Sequence, residues 1–309
     1  MSFLNNYDEM LGFIYARHWY GFVPGACSTH KMVSTDLCRV KSIELDAALV
    51  LVADYHSSLL IQRNYKPYIN DDQWLPEVRA VLDMMGFYEL VEATGRTMQD
   101  EKRYSSPLKF VPFVSADKVL GEKADELIES LKVAAGRTPK RVAIYAALVE
   151  AIKNVYNHAY PSNRPTTVVR GAPNWWAAGA YNPDRNELTF AVYDQGVGIP
   201  FTLPRMSFFQ AVLQRCPPEF NDADVIAGAI DYGRTSTDML ERGNGLWTIC
   251  KLVEELPGSQ VRLMSGRGQV TYTSKGAVHK KLQANPFYGT LIQWSLILPK
   301  EEMSAGAAR

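Results

Sequence analysis

Glu150, Asn154 and Asn157 stand at i, i+4 and i+7 in "ALVEAIKNVYNHAYP" and share one face of a helix, with His158 at its edge. Ile144, Leu148, Ile152 and Val155 share another face. A helix with one polar and one apolar stripe turns the polar one toward something polar. The plainer reading of this stripe is the solvated face of an amphipathic helix. Two glycine-rich stretches follow. In "VYDQGVGIP", Asp194 ends a strand-like run, and Gly196 and Gly198 come after it. That order offers a fixed acceptor beside backbone that a flat ligand can approach closely; a tight turn is the alternative. In "RGNGLWTICK", Gly243, Asn244 and Gly245 lead into a helix whose first N–H groups lack intrahelical partners, a ready phosphate site. A glycine N-cap without a ligand is the alternative there.

The elements that must hold these groups follow from periodicity. "GEKADELIESLKVAAGR" carries an apolar stripe of Ala124, Leu127, Ile128, Leu131 and Ala135, with Gly136 placed to close the helix. A second helix is expected with Thr138 as N-cap and Pro139 at its first position, running to Pro161. Next come strands at "NWWAAGAYN" and "ELTFAVYDQGVG", joined by a "PDRN" turn; in the second, Leu188, Phe190 and Val192 alternate with Thr189, Ala191 and Tyr193. Helices are expected around "FFQAVLQRC", "DADVIAGAIDYG" and "GLWTICKLVEEL", and three strands at "SQVRLMSG", "GQVTYTS" and "GTLIQWSLILP". This pattern predicts an α+β sandwich, mostly antiparallel, with helices on one face of the sheet.

The first half reads differently. It offers a strand-like "LGFIYARHWYGF", a strand in "HKMVSTDLCRV" and a helix in "ELDAALVLVADYHSSLLIQRN". A turn at "YINDDQW" and a helical "LPEVRAVLDMMGFYEL" follow. "SPLKFVPFVSADKVLGEK" is a connector in which Phe110, Val111, Phe113 and Val114 also allow a strand. Two domains with separate cores are therefore expected, at 1–115 and 116–300, with a frayed tail at 301–309.

Composition narrows the function classes. Thirty-three basic residues balance thirty-three acidic ones, so no long-range field draws the chain to nucleic acid or an anionic membrane. The longest apolar run, "AALVLVA" between Asp46 and Asp54, is far short of the roughly 20 residues a membrane helix needs. The first residues lack the basic and apolar regions of a secretory signal. Cys27, Cys38, Cys216 and Cys250 are scattered, without the spacing of a zinc site or a disulfide framework. A cytoplasmic protein is expected.

Taken in order, and separated by the polar loop "GRTSTDMLER", the three chemical stretches resemble the nucleotide-binding domain of the GHKL ATPase superfamily. That superfamily includes type II topoisomerases, the Hsp90 chaperone, MutL proteins and sensor histidine kinases. "EAIKNVYNHA" looks like its N-box, "DQGVGI" and "GNGL" like its two glycine boxes, and Thr290 in "YGTLIQWSLILP" like its closing threonine; the match covers roughly residues 120–300. The resemblance implies ATP and Mg²⁺. Asn154 would be the metal ligand, and Asn157 and His158 would lie near the phosphates or their solvent shell. Glu150 would be the general base, with Asp194 on the adenine amine and Ile199 against the ring. Gly196, Gly198, Gly243, Asn244, Gly245, Leu246 and Thr290 would complete the nucleotide site. The segment from Gly233 to Arg242 would form a lid, with Arg234 and Arg242 as charge partners of the triphosphate or, alternatively, plain surface charge.

The spacing of Glu150, Asn154 and His158 is most like that of bacterial anti-sigma-factor serine kinases, which implies transfer to a serine hydroxyl. "DLCRVKSIELDAALVLVADY" is similar to the STAS domains that serve as substrates of those kinases. Where the family has its phosphorylatable serine turn, however, this chain reads Glu44, Leu45, Asp46, Ala47, with no acceptor hydroxyl. The N-terminal half is then a STAS-like regulatory or interaction module, and Asp46 a helix cap. His18, His30 and His56 read as surface or packing residues. Three functions stay open: an ATPase or serine kinase acting on a partner such as a STAS-domain protein, a nucleotide-dependent switch with little turnover, and a histidine kinase acting on a separate phosphotransfer protein. A homodimer is also open.

Overall fold

The computed structural model describes residues 1–3, 5–12, 34–61, 68–92, 108–162, 171–235 and 243–299. After a helical turn at 7–12 come β1 (Ser34–Thr35), α1 (Leu45–Ile61), β2 (Tyr68–Ile69), α2 (Pro76–Met84) and α3 (Phe87–Glu92). Next are β3 (Lys109–Ala116), α4 (Gly121–Ala135), α5 (Arg141–Asn154), β4 (Trp175–Asn182) and β5 (Glu187–Asp194). The rest comprises α6 (Ile199–Thr202), α7 (Phe209–Leu213), α8 (Asp222–Thr235), α9 (Gly245–Glu254), β6 (Gln260–Thr273) and β7 (Val278–Ile297). Strands β3 to β7 form one antiparallel sheet in the order β3-β4-β5-β7-β6, while β1 and β2 make a separate parallel pair. Among the described residues no helix is long and apolar enough to cross a membrane.

The α+β class holds, but helices cover both faces of the sheet rather than one. Along β4, Trp175 and Ala177 face a core shared with α4, α5, α8 and α9, whereas Trp176, Ala178 and Ala180 face a core built by the N-terminal residues. Ala191 and Tyr193 of β5 and Met264 of β6 join that second core with Leu49, Val52, Leu82 and Phe87. Strands apolar on both sides must be covered on both sides.

There are two large cores, one on each face of the sheet, but the first is not confined to residues 1–115, since it takes in Trp176, Ala191, Tyr193 and Met264. The N-terminal helices pack directly on the sheet, and β3, read as a connector or a strand, is the edge strand that spans the expected boundary at 115/116. A buried ion pair ties the layers, from Arg262 Nη2 on β6 to Asp46 Oδ2 on α1 at 2.8 Å. Trp176 Nε1 also donates to His56 Nδ1 at 3.0 Å. Burial holds the His56 imidazole below its ordinary pKa, in keeping with a ring nitrogen that accepts.

Other boundaries move for local reasons. Lys140 takes a left-handed conformation (φ 58°), so α5 starts at Arg141 instead of after Thr138. The three final strand candidates merge into the two long strands β6 and β7, with register shifts at Ser265–Gly266 and Gly266–Gly268. In the N-terminal half, the described part of "HKMVSTDLCRV", from residue 34 on, contributes Ser34–Thr35 to a strand. The strand expected at "LGFIYARHWYGF" lies outside the described residues apart from Leu11 and Gly12, which are helical. His18, His30, Cys27 and the tail 301–309 also lie outside them.

Candidate functional site

Helix α5 does not end as an α-helix. Past Asn154 it widens into a π-helical turn, Val155–Ala159, a feature often found where side chains must be redirected toward a site. Its polar face, with Glu150, Asn154, Asn157 and His158, lines a cleft of about 960 Å³. The opposite wall brings Asp194, Gly198 and Ile199 from the end of β5, Thr290 from β7, and Gly243, Asn244, Gly245 and Leu246 from the start of α9. Twelve of the residues expected from the sequence thus meet around one cavity.

The approach of α9 to α5 depends on a missing side chain. A Cβ on Gly245 would stand 2.6 Å from Glu150 Oε1 and 3.3 Å from Asn154 Oδ1. Any larger residue there would push the Glu150 carboxylate away from the helix start. Among the described residues no side chain caps α9, whose N-cap position is Asn244, so its first backbone N–H groups are open to an anion. Thr248 N donates back to Asn244 O at 2.9 Å and fixes the first turn. In the π-helical turn, burial lowers the His158 pKa, and the Glu150 charge partly offsets it.

Asp194 is buried at the end of β5, opposite Thr290 in the register of β7. Its Oδ1 accepts from Gly196 N at 2.7 Å, and the amide and hydroxyl of Thr290 also hydrogen-bond to the carboxyl. Burial outweighs those donors and pushes the pKa up to about 7. The group is poised between acid and carboxylate.

Some expected residues serve elsewhere. Gly196 does not line the cleft: a Cβ there would lie 2.4 Å from Ala159 O, so this glycine lets the turn pack on the π-helical segment, where Val197 N donates to Ala159 O at 2.9 Å. Gly233 packs against Trp247 within α8, and Arg234 pairs with Asp231 at 2.7 Å instead of reaching the cleft. Arg242 and the remainder of the expected lid, 236–242, lie outside the described residues. Conversely, the cleft wall includes Lys153, Thr202, Arg205, Met206, Ser207 and Phe208, which sequence reasoning missed. Lys153 was legible, since it immediately precedes Asn154. The 202–208 segment carries no periodicity that would place it.

Among the described residues no three His, Cys, Asp or Glu side chains converge as a metal cage. An amide oxygen at Asn154 with a carboxylate a turn away still fits a Mg²⁺ ion that keeps waters and phosphate oxygens as its other ligands. The sequence matches no family model, and a search of curated proteins finds no matching relative.

Proposed function

We propose that this chain binds ATP with Mg²⁺ and either hydrolyses it or transfers its γ-phosphate to a serine of a partner protein, as a GHKL-type ATPase or kinase. The observation that carries the reading is the convergence, around one cleft, of the α5 face, the Asp194 turn, the α9 start and Thr290. In this reading Asp194 accepts the adenine amine, Ile199 lies against the ring, and the uncapped start of α9 takes phosphate oxygens. Asn154 would ligate Mg²⁺, which when bound neutralises phosphate charge and orients the triphosphate. Glu150, beside Gly245, takes the proton of the attacking water or serine hydroxyl.

The test uses γ-labelled ATP and Mg²⁺ with the full chain, alone and with STAS-domain candidates. Wild type should release phosphate or label a partner's serine, Glu150→Ala should lose both products while still binding ATP, and Asn154→Ala should lose Mg²⁺-dependent binding. Absence of ATP binding by the wild type overturns the reading. A nucleotide-operated switch is the second reading, favoured by one observation: Tyr193, next to Asp194, is buried in the core formed by the N-terminal helices. ATP binding without either product would select it.

A further inference from the structure

Asp194, Thr290 and Ser265 stand side by side across three adjacent strands, since Thr290 is in register with Asp194 on β5 and with Ser265 on β6. Ser265 is fully buried, and its hydroxyl is surrounded by polar partners. Ile199 N donates to its Oγ at 2.8 Å, Oγ donates to Gly289 O at 2.9 Å, and Thr290 Oγ1 lies at 3.1 Å. Gly198 (φ +84°) crosses so close that a Cβ would stand 2.7 Å from Ser265 Oγ. Ser265 itself does not line the cleft.

A hydroxyl has one proton to give. Ser265 gives it to Gly289 O or to Thr290 Oγ1, while Ile199 N–H occupies one of its lone pairs. With Thr290 Oγ1 as the acceptor, Thr290 keeps its own proton for the Asp194 carboxyl, to which it hydrogen-bonds. Ser265 thereby touches both halves of the acceptor site, the turn after Asp194 and the threonine beside it.

We infer that Ser265 is a positioning residue for aminopurine recognition: it holds the Thr290 hydroxyl on Asp194 and clamps the Gly196–Ile199 turn, so that the carboxyl presents a fixed acceptor edge to a purine 6-amine. The inference rests on the ATP reading and names the selectivity of that site. Against the ionised carboxylate a 6-oxo group in the same place would set lone pair against lone pair, so that form prefers ATP over inosine triphosphate. With Ser265 removed, the Thr290 rotamer and the turn lose their common anchor, and the carboxyl edge is no longer fixed.

The experiment compares Ser265→Ala, Thr290→Val and the double variant as full chains. It reads ATP and inosine triphosphate affinities and the carboxyl NMR titration of Asp194 without nucleotide. Ser265→Ala should lose about tenfold of the preference for ATP and shift the Asp194 titration to higher pH, because a donor to the carboxylate is weakened. In the Thr290→Val background the same change should add little, and Ser265→Thr, which keeps the hydroxyl, should retain the wild-type titration. An equal loss for both nucleotides with an unmoved titration overturns the inference. If wild type binds neither nucleotide, the ATP reading falls, and the Ser265→Ala titration still decides whether Ser265 positions Asp194. Should Ser265→Ala not fold, Ser265→Cys, close in volume and a weak donor, gives the same readout.

Discussion

Burial pushes the Asp194 carboxyl up to about 7 against the pull of Gly196 and Thr290. Because the folded value lies above the unfolded one, the folded chain keeps a proton that the unfolded chain has released between pH about 4 and about 7. The contribution of this group to folding is complete below its ordinary pKa and is lost as pH rises to about 7. Ligand binding runs the other way, since an amine donor prefers an ionised acceptor. ATP should bind more tightly as pH rises through about 7 and release a proton on binding, as calorimetry in buffers of different ionisation enthalpy would record. Asp194→Asn should flatten the profile; an unchanged slope in that variant would sink the assignment. Gly245 carries a second prediction at this scale. The methyl of Gly245→Ala falls 2.6 Å from Glu150 Oε1 and must displace either that carboxylate or the start of α9. Displacement of about 1 Å at a reacting group costs about 100-fold in rate. Turnover of Gly245→Ala should fall by that order with thermal stability nearly unchanged, whereas wild-type turnover would show that Glu150 is not the base.

The widened last turn of α5 and the turn after β5 act as one unit, because Ala159 O accepts from Val197 N while Ala159 itself fills the space beside Gly196. Gly196→Ala should overpack that contact and cost about 1–3 kcal/mol in urea unfolding, with ATP affinity lowered as the π-helical turn shifts Asn157 and His158. Full stability in this variant would mean that the two segments are free to part. The role of this unit also marks what a sequence conveys. The stripe of Glu150, Asn154 and Asn157 was legible because helical spacing puts those positions together whatever the end of the helix does. The π-turn was not, since one extra residue per turn leaves no trace in side-chain type. The two-sided sheet was partly legible: "NWWAAGAY" is apolar at both parities, the pattern of a strand buried on both faces. The distal hairpin was hidden because Val278 to Leu282 are exposed and mostly polar, so no alternation points to a strand there.

Across the whole molecule, the N-terminal layer is held to the sheet by apolar burial, by the Trp176–His56 hydrogen bond and by a buried ion pair that joins residues far apart in sequence. Asp46 Oδ2 accepts from Arg262 Nη2 at 2.8 Å and from Phe3 N at 3.0 Å, and its Oδ1 accepts from Ala47 N at 2.7 Å. Asp46 is not the helix cap expected of it: it lies inside the first turn of α1, which begins at Leu45, and its carboxylate serves the contact to β6. Arg262 Nη2 also donates to Gln293 Oε1 at 2.7 Å, while its Nη1 is buried with no partner among the described residues. Removing the carboxylate would strand a desolvated guanidinium, and breaking such a pair from one side costs about 3–5 kcal/mol. Asp46→Ala should thus lose stability of that order, and replacing both partners, in Asp46→Ala with Arg262→Met, should recover much of it because no buried charge is left behind. The shape of the transition carries the larger point. If Trp176, Tyr193 and the N-terminal helices form one core, Asp46→Ala lowers a single cooperative transition, followed equally by tryptophan fluorescence and by helical circular dichroism. If the first half were an independent module resting on the sheet, the same variant would split the curve, with the nucleotide-binding half melting at its wild-type midpoint. The extent of the shared core predicts the single curve. It also predicts that residues 108–299 expressed alone, with Trp176, Ala178, Ala191, Tyr193 and Met264 uncovered, will associate through that bared face rather than remain monomeric.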